Sequence, residues 1–294
     1  MRHVLFAMPG NEELTRSLSE MLGAAIGETV LRHFPDGETY VRVLTDVKDK
    51  EVLLVCTLHQ PDSKLLPLYF LAQTLREMGA TKIFLVAPYL AYMRQDMQFN
   101  PGEAVTSRYF ARFIGSIADG LITIDPHLHR FRNIRELYTI PAHVLHAAPL
   151  LADWVKKHVQ KPVLIGPDEE SRQWVEEVAS LAGAPFLVLQ KARMGDDKVE
   201  VTPPAMDNFS AHTPVLVDDI VSTAHTMIET VQHLQQLTDK RPVCIGVHAV
   251  FAPGAYESLQ QSGASSIVTC NTIPHPSNAI SVAPLLVEAI RDLG

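Results

Sequence analysis

The residue pattern best suited to binding a ligand follows an apolar run in the second half of the chain. Residues 215–227 read VLVDDIVSTAHTM, and the first three are typical of a buried parallel strand. Asp218 and Asp219 come at the carboxyl end of this strand, the edge at which open α/β sheets bind ligands. Two adjacent carboxylates there are suited to the hydroxyl groups of a sugar.

A hydroxyl-rich turn and a helix follow the two acids. Ser222, Thr223 and Thr226 offer hydroxyl groups, and the helix predicted to begin near Met227 would direct its first backbone N–H groups at an anion. Together with the acid pair, this predicts a sugar-phosphate site. The alternative is a strand followed by an ordinary N-capped helix.

Length and composition describe a soluble globular protein. The chain has 294 residues, of which 47% are hydrophobic and 20% charged, enough for one large or two medium domains. No apolar stretch approaches the roughly 20 residues of a membrane span, and the opening MRHVLFAMPG lacks the pattern of a signal peptide. We therefore expect a cytoplasmic protein with no membrane contact.

Charge and cysteine content exclude further classes. The formal net charge is -8 and the chain has no run of Lys and Arg, which argues against nucleic-acid binding. Cys56, Cys244 and Cys270 are far apart and form neither a CxxC metal pair nor an even disulfide set. We interpret them as small buried apolar side chains.

Apolar runs of strand length alternate with helical patterns along the chain, as in a parallel sheet covered by helices on both faces. The predicted strands cover residues 4–7, 51–56, 82–86, 120–124, 163–165, 186–189, 215–217, 243–250 and 266–269. The predicted helices cover residues 12–22, 62–78, 105–116, 148–157, 170–182, 225–238, 255–262 and 283–292.

The two halves of the chain repeat one order of elements. Each contains a hairpin, then a strand, a loop and a helix, then another strand and loop. Sequence identity between the halves is low, so coincidence of α/β patterns is the alternative. We predict two sheet domains, residues 1–143 and 144–282, with a C-terminal helix in residues 283–294 that packs back on the first. A ligand cleft is expected between them.

Neither familiar phosphate signature, the GxxxxGK[ST] loop or the GxGxxG turn, occurs in the chain. The stretch PYLAYMRQDM, however, places Arg94, Gln95 and Asp96 just after a strong strand. A guanidinium group bonds phosphate oxygens in pairs, so Arg94 is suited to a triphosphate. A surface ion pair between Arg94 and Asp96 is the alternative.

The run LITIDPHLHRF places Asp125, His127 and His129 just past another predicted strand. Two imidazoles at i and i+2 would share one face if the strand continued. Zinc lacks a third ligand at suitable spacing, whereas Mg²⁺ is commonly held by few protein groups plus substrate phosphates. The alternative is a pair of solvated loop histidines.

Two predicted hairpins carry further candidates. Lys191 and Arg193 emerge from a strand into a Gly-Asp-Asp turn, where they would close over a phosphoryl group or simply form a polar tip. Phe34, Asp36 and Glu38 surround an Asp-Gly turn, where an aromatic face beside two acceptors is suited to a nucleobase. A well-formed turn without a ligand is the alternative.

Taken in order, these motifs resemble the ribose-phosphate pyrophosphokinase family along essentially the whole chain. The segments FPDGE, PYLAYMRQD, DPHLH, GPDEE, the Lys-Ala-Arg flap and VDDIVSTAHT have counterparts there, and RQDMQFNPGEAVTSR is closer to the shorter archaeal-type enzymes. The resemblance implies an α/β fold of two phosphoribosyltransferase-like domains, each a mainly parallel sheet flanked by helices, with flap hairpins. It implies transfer of diphosphate from ATP to the C1 hydroxyl of ribose 5-phosphate, giving 5-phosphoribosyl 1-diphosphate and AMP.

The resemblance also implies a role for each candidate. Adenine would contact the first hairpin, across a subunit boundary in a dimer or larger homo-oligomer, and residues 59–64 would match a pyrophosphate loop. The implied sets are Phe34, Asp36, Glu38, Arg94, Gln95 and Asp96 for ATP; His127 and Asp168 for Mg²⁺; Lys191 and Arg193 for the transferring group; and Asp218, Asp219, Ser222, Thr223, Ala224, His225 and Thr226 for ribose 5-phosphate.

Two segments depart from the family pattern. The family has two glycines where this chain has Ala224 and His225, and a DxGG element where it has residues 168–171, DEES. A Cβ in a left-handed conformation costs roughly 1–2 kcal/mol, and Glu169 and Glu170 add negative charge near anionic substrates. An imidazolium at His225 that bonds the 5-phosphate would offset part of this cost.

Two other functions therefore stay open. A non-catalytic relative that binds nucleotides or partners would explain the altered phosphate loops. A phosphoribosyltransferase would explain the acid pair but would leave RQD and DPHLH without a task.

Overall fold

The computed structural model describes residues 3–98, 100–128, 131, 133–193, 199–202 and 209–293. It divides into two compact units, one formed by Met1–Leu145 with Val282–Gly294 and the other by His146–Ser281. We call them unit 1 and unit 2. Each is built on one six-stranded sheet and one two-stranded hairpin.

The sheet of unit 1 has the strand order β2-β1-β5-β6-β7-β8, with every neighbouring pair parallel. The antiparallel hairpin β3-β4 follows β2 in the chain. The strands are β1 (His3–Ala7), β2 (Ala25–Ile26), β3 (Thr29–His33), β4 (Thr39–Val43), β5 (Glu51–Val55), β6 (Lys82–Ala87), β7 (Gly120–Ile124) and β8 (Ala142–Leu145).

Unit 2 repeats this topology with the order β10-β9-β13-β14-β15-β16, again all parallel, and with the hairpin β11-β12 inserted at the same point. The strands are β9 (Pro162–Gly166), β10 (Phe186–Val188), β11 (Gln190–Arg193), β12 (Val199–Thr202), β13 (Thr213–Val221), β14 (Val243–Ala249), β15 (Ser266–Cys270) and β16 (Asn278–Ile280). The predicted α/β fold and the repeated order of elements are both confirmed.

The described residues form eight α-helices, each within two residues of its predicted bounds; seven connect strands, and α8 follows the last strand. Helix α8 contacts α1 and β8, and the Arg291 guanidinium donates to the Met21 carbonyl at 3.1 Å within unit 1. The helices are α1 (Glu12–Leu22), α2 (Asp62–Glu77), α3 (Thr106–Ile117), α4 (Ala148–His158), α5 (Arg172–Ala182), α6 (His225–Leu237), α7 (Ala255–Gln261) and α8 (Ala283–Arg291).

The central strands β5, β7 and β14 are buried at every position, as expected for parallel strands covered on both faces. Cys56, Cys244 and Cys270 are free and buried, so their interpretation as small apolar side chains is confirmed. Among the described residues, no helix combines the length and the apolar character needed to cross a membrane.

The prediction was wrong at one bound that affects the site. The run predicted as residues 215–217 forms a strand of nine residues, β13, which continues through Asp218 and Asp219 to Val221. Pairing with β14 extends to Val221, opposite Ala249, and holds the two acids in extended backbone. The prediction ended the strand where the polar residues begin. In the structure, the strand ends where its hydrogen bonding to β14 ends.

Candidate functional site

The acid pair of unit 2 lies in the second half of β13, next to β14. Asp218 pairs with Gly246, and its carboxylate accepts a hydrogen bond from the backbone N–H of Asp219 at 2.9 Å. Burial raises the pKa of Asp218 well above its ordinary value, and the negative charges of Asp219 and Asp168 raise it further. Carboxylates gathered in this way favour a ligand that donates hydrogen bonds or carries positive charge.

Asp168 follows β9, the strand on the other side of β13. Its carboxylate accepts from the backbone N–H of Ser171 at 3.1 Å, and the Ser171 hydroxyl donates to the Asp168 carbonyl at 2.6 Å. This capping box opens a short 3-10 helix, Glu169–Ser171. Asp168 is thus positioned by the segment that departs from the family pattern.

The two glutamates of this segment were expected to add charge near the site. Glu169 instead accepts hydrogen bonds from the Arg172 guanidinium, one of them at 2.8 Å. The Glu169 side chain is 70% exposed and that of Arg172 49%. The hydrogen bond from Arg172 lowers the pKa of Glu169. The charge of Glu169 is therefore paired and faces solvent.

The turn after β13 reaches α6 through Ala224, the N-cap residue, which has φ 59° and ψ 10°. This is the left-handed region, where a Cβ is unfavourable. His225 is the first residue of α6, and its φ is not positive. Of the two substituted glycine positions, only the first therefore strains the backbone.

The remaining predicted residues of this segment lie around the same turn. Thr223 and His225 are exposed, whereas Ser222 and Thr226 are partly buried. The Ser222 carbonyl accepts from the backbone N–H of Ala252 at 3.1 Å, which ties the turn to the loop after β14. The N–H groups of the first turn of α6 have no intrahelical partners, as at any helix start. The turn can thus offer hydroxyls and amides to an anion.

The hairpin β11-β12 carries Lys191 and Arg193. Lys191 pairs with Val201 and Arg193 with Val199 in an antiparallel ladder, so the predicted hairpin forms. The Gly-Asp-Asp turn, residues 195–197, lies outside the described residues. The role of Lys191 and Arg193 at the site stays a prediction.

In unit 1, the candidates outside the hairpin β3-β4 follow three neighbouring strands, β5, β6 and β7. The carboxyl ends of parallel strands meet at one edge of a sheet, and the loops after these strands begin there. Residues 59–61, Arg94 and His127 belong to these three loops in turn, and residues 62–64 form the start of α2 directly after the first loop. The topology thus brings together segments that are far apart in the chain.

The Arg94 loop is fixed at Gln95 by the start of α3. The Gln95 carbonyl accepts from the backbone N–H of Ser107 at 3.3 Å, and the Gln95 side chain accepts from the Thr106 hydroxyl at 3.3 Å. Arg94 is exposed. No salt bridge joins it to Asp96, both residues being among those described. The surface ion pair considered as the alternative is therefore absent.

Lys64 lies in the first turn of α2, within the segment 59–64 that the resemblance matches to a pyrophosphate loop. The Lys64 ammonium donates to the Thr57 carbonyl at 2.9 Å and lies 3.1 Å from His59 Nδ1. Burial lowers the pKa of both Lys64 and His59, and the Lys64 charge lowers the pKa of His59 further. Sequence shows no signal for this contact, because it depends on how the loop folds back.

His127 follows β7 with φ 53° and donates its backbone N–H to the Asp125 carbonyl at 2.9 Å. It belongs to unit 1, whereas Asp168 belongs to unit 2. His129 lies outside the described residues. Within the described part of the chain, no group of three or more His, Cys, Asp or Glu side chains is arranged to hold a metal. A protein-only metal cage is thus absent there.

The hairpin β3-β4 presents Phe34 at its tip with 40% exposure. The Arg32 guanidinium lies 4.8 Å from the Phe34 ring centre, and the ring of Tyr40 meets Phe34 edge-on at 6.0 Å. Asp36 accepts from the backbone N–H of Glu38 at 3.2 Å and so helps to hold the turn. The exposed tip offers an aromatic ring, a cation and two carboxylates.

Comparison with known proteins agrees with this architecture. Residues 3–117 match the N-terminal domain of ribose phosphate pyrophosphokinase, and residues 133–285 match the phosphoribosyl transferase domain. The chain is 34% identical over 293 residues to a ribose-phosphate pyrophosphokinase of Methanopyrus kandleri, which covers 99% of both chains. It is 32% identical to that of Sulfurisphaera tokodaii, which covers 95% of this chain and 96% of the relative.

A solved structure extends the similarity to three dimensions. The phosphoribosylpyrophosphate synthetase of Mycobacterium smegmatis superposes with a TM-score of 0.85 at 25% identity, covering 100% of this chain and 99% of that one. The predicted resemblance, including its archaeal character, is confirmed. The chain belongs to the ribose-phosphate pyrophosphokinase family.

Proposed function

We propose that this protein transfers diphosphate from ATP to the C1 hydroxyl of ribose 5-phosphate, in the cytoplasm. The observation that carries the proposal is the acid pair on β13, followed after the turn at residues 222–224 by the amide-rich start of α6. Asp218 and Asp219 accept from the sugar hydroxyls, and the turn at residues 222–226 binds the 5-phosphate. The family of the chain supports the choice of substrates.

Unit 1 is the proposed nucleotide side. Arg94 and Gln95 bind the phosphates of ATP, with Asp96 beside them, while Phe34, Asp36 and Glu38 contact adenine in a homo-oligomer. Unit 2 is the proposed acceptor side. We propose the domain bounds predicted from the sequence: residues 1–143 and 144–282, with the C-terminal helix packing back on the first domain.

The reaction joins the C1 oxygen of the sugar to the β-phosphorus of ATP. The bond between that phosphorus and the oxygen bridging to the α-phosphate breaks, and AMP leaves with the electron pair while the C1 hydroxyl loses its proton. Alignment and charge neutralisation dominate chemistry of this type. Lys191 and Arg193 are proposed to stabilise the group in flight.

The carboxylates of unit 2 suit a divalent cation. Burial raises the pKa of Asp218, and the nearby charges of Asp219 and Asp168 raise it further, so a cation bound there would stabilise the ionised carboxylates. Mg²⁺ prefers oxygen ligands and is usually bound by one or two protein carboxylates together with substrate phosphates and water. Asp168 is the proposed protein ligand, with His127 assisting on the nucleotide side. When bound, Mg²⁺ would neutralise charge on the phosphates.

Incubation with ATP, Mg²⁺ and ribose 5-phosphate tests the proposal. We expect AMP to form, and we expect Lys191→Ala to reduce its rate strongly. AMP formation no faster than in the Lys191→Ala variant would contradict the assignment.

One observation favours a second function, a non-catalytic relative that binds in a synthetase-like complex. Ala224 holds a left-handed conformation at the phosphate turn despite its Cβ. Calorimetry distinguishes the two functions: a stable complex with an active synthetase, without ribose 5-phosphate binding, would favour the second.

A further inference from the structure

Backbone strain in unit 1 is concentrated at one edge of its sheet. Among the described residues of this unit, five non-glycine residues have positive φ. Gln60 (48°), Tyr92 (61°), Asp125 (37°) and His127 (53°) follow β5, β6 and β7, and only Asp49 (59°) precedes a strand. Such conformations persist where surrounding contacts fix them, and they cluster at functional sites. The edge that carries the predicted nucleotide residues is thus held in an unfavourable backbone conformation by its neighbours.

Tyr92 is the largest of these residues, and its contacts show what holds it. Its hydroxyl donates a hydrogen bond to the Asp62 carboxylate, and its ring lies 4.9 Å from that of the buried Phe110. The adjacent residues Ala91 and Met93 are buried. Tyr92 is therefore anchored at its ring, at its hydroxyl and through both neighbours.

The hydroxyl contact joins two loops that β5 and β6 place side by side. Asp62 is the first residue of α2, directly after the loop at residues 56–61. A second bond links the same loops, because the Leu58 N–H donates to the Tyr89 carbonyl at 3.0 Å. The hydrogen bond to Asp62, with burial and the Asp62 charge, raises the pKa of Tyr92 to about 12. The phenol therefore stays a donor at neutral pH.

Arg94 lies between this anchor and a second one at Gln95, which accepts from Ser107 and Thr106 at the start of α3. Its guanidinium is exposed, but its backbone is fixed on both sides. Because the backbone of Arg94 is already fixed, binding of its guanidinium to a phosphate costs little loop entropy.

We infer that Tyr92 is a positioning residue for ATP: its hydroxyl, held by Asp62, fixes the backbone from which Arg94 meets the nucleotide phosphates. The inference rests on the proposed function, since it takes ATP as the ligand of Arg94. Tyr92 acts through Arg94 and does not itself contact the reacting atoms.

Tyr92→Phe tests this assignment, because it keeps the ring against Phe110 and removes only the hydroxyl. We expect the KM for ATP to rise roughly tenfold, as for the loss of a hydrogen bond to a charged group. The KM for ribose 5-phosphate and kcat at saturating ATP should change less than twofold. Tyr69→Phe is the matched control, since Tyr69 lies on α2 within the same unit.

Substitution of Asp62 gives a second test of the same contact. Asp62→Ala should raise the KM for ATP as Tyr92→Phe does, and the double variant should show no further rise. Asp62→Asn keeps an acceptor oxygen and should restore most of the affinity. Additive effects, or an unchanged KM in Tyr92→Phe, would overturn the inference.

ATP dissociation constants measured by calorimetry without ribose 5-phosphate separate this inference from the proposed function. If the unaltered protein forms no AMP but binds ATP more tightly than Tyr92→Phe, the reaction is wrong and the positioning role stands. Equal ATP affinities, or no ATP binding by the unaltered protein, would overturn the positioning role.

Discussion

The backbone N–H of Asp219 donates to the carboxylate of Asp218, its neighbour in the chain, at 2.9 Å. This bond holds the Asp218 carboxylate against the backbone of its own strand. Burial and the charges of Asp219 and Asp168 nevertheless raise the pKa of Asp218. A single hydrogen bond therefore orients the acid without offsetting the cost of its charge, which leaves a role for a ligand.

Neutralising Asp218 should stabilise the protein while impairing its function. A carboxyl group whose pKa is raised on folding contributes stability below its unfolded pKa, near 3.8, and loses that contribution as the pH rises through the folded value. At pH 8, the free energy of unfolding of Asp218→Asn, measured with urea, should therefore exceed that of the unaltered protein by about 0.5–2 kcal/mol. The difference should shrink as the pH falls toward 4.

The same variant should bind ribose 5-phosphate roughly 10–100 times more weakly, because a hydrogen bond to a charged acceptor is lost. Asp239→Asn, at an exposed position after α6, is the control. Lower stability of Asp218→Asn at pH 8 would contradict this account of the acid pair.

Ala224 and Ala147 provide a matched pair for the phosphate turn. Both are buried N-cap residues of α-helices, but Ala224 has φ 59° whereas Ala147 has φ -80°. Ala224→Gly should stabilise the protein by about 1 kcal/mol because it removes a left-handed Cβ. Ala147→Gly should destabilise it by a similar amount because it adds freedom to the unfolded chain.

Urea unfolding measures both effects, and ribose 5-phosphate titration measures the functional one. We expect Ala224→Gly to bind the sugar phosphate at least as tightly as the unaltered protein. A loss of stability in both variants would show that the Ala224 methyl contributes more through its packing than it costs in backbone conformation.

The Lys64 charge should be measurable at His59. Burial, and then Lys64, lowers the pKa of His59. Lys64→Met should raise the pKa of His59 while leaving it below its ordinary value of 6.5, since only the second cause is removed. Histidine titration followed by NMR gives the result, with Lys48→Met as an exposed control. An unchanged titration of His59 would show that the Lys64 contact does not form in solution.

The sequence predicted the central strands because β5, β7 and β14 are continuous apolar runs of the kind that parallel sheets bury. It missed β2, β8 and β16, which are only 2, 4 and 3 residues long. None of these three strands is buried throughout. Their assignment depends on pairing with a neighbour, which local composition does not encode.

The candidate site shows the same division. Asp218, Asp219 and Arg94 could be singled out because the two acids end an apolar run and Arg94 comes soon after the strongly apolar strand β6. The contact of Tyr92 with Asp62 and that of Lys64 with His59 could not, because they depend on loop conformation. The sequence predicts strain at Ala224 only if its backbone is left-handed, and the structure shows that it is.

The identity of the transferred group tests the central claim most directly. Phosphorus NMR of a reaction containing ATP, Mg²⁺ and ribose 5-phosphate distinguishes diphosphate transfer from transfer of a single phosphate. We predict AMP together with a sugar that carries a diphosphate at C1. ADP with a sugar bisphosphate, or no phosphorus transfer to the sugar, would contradict the account.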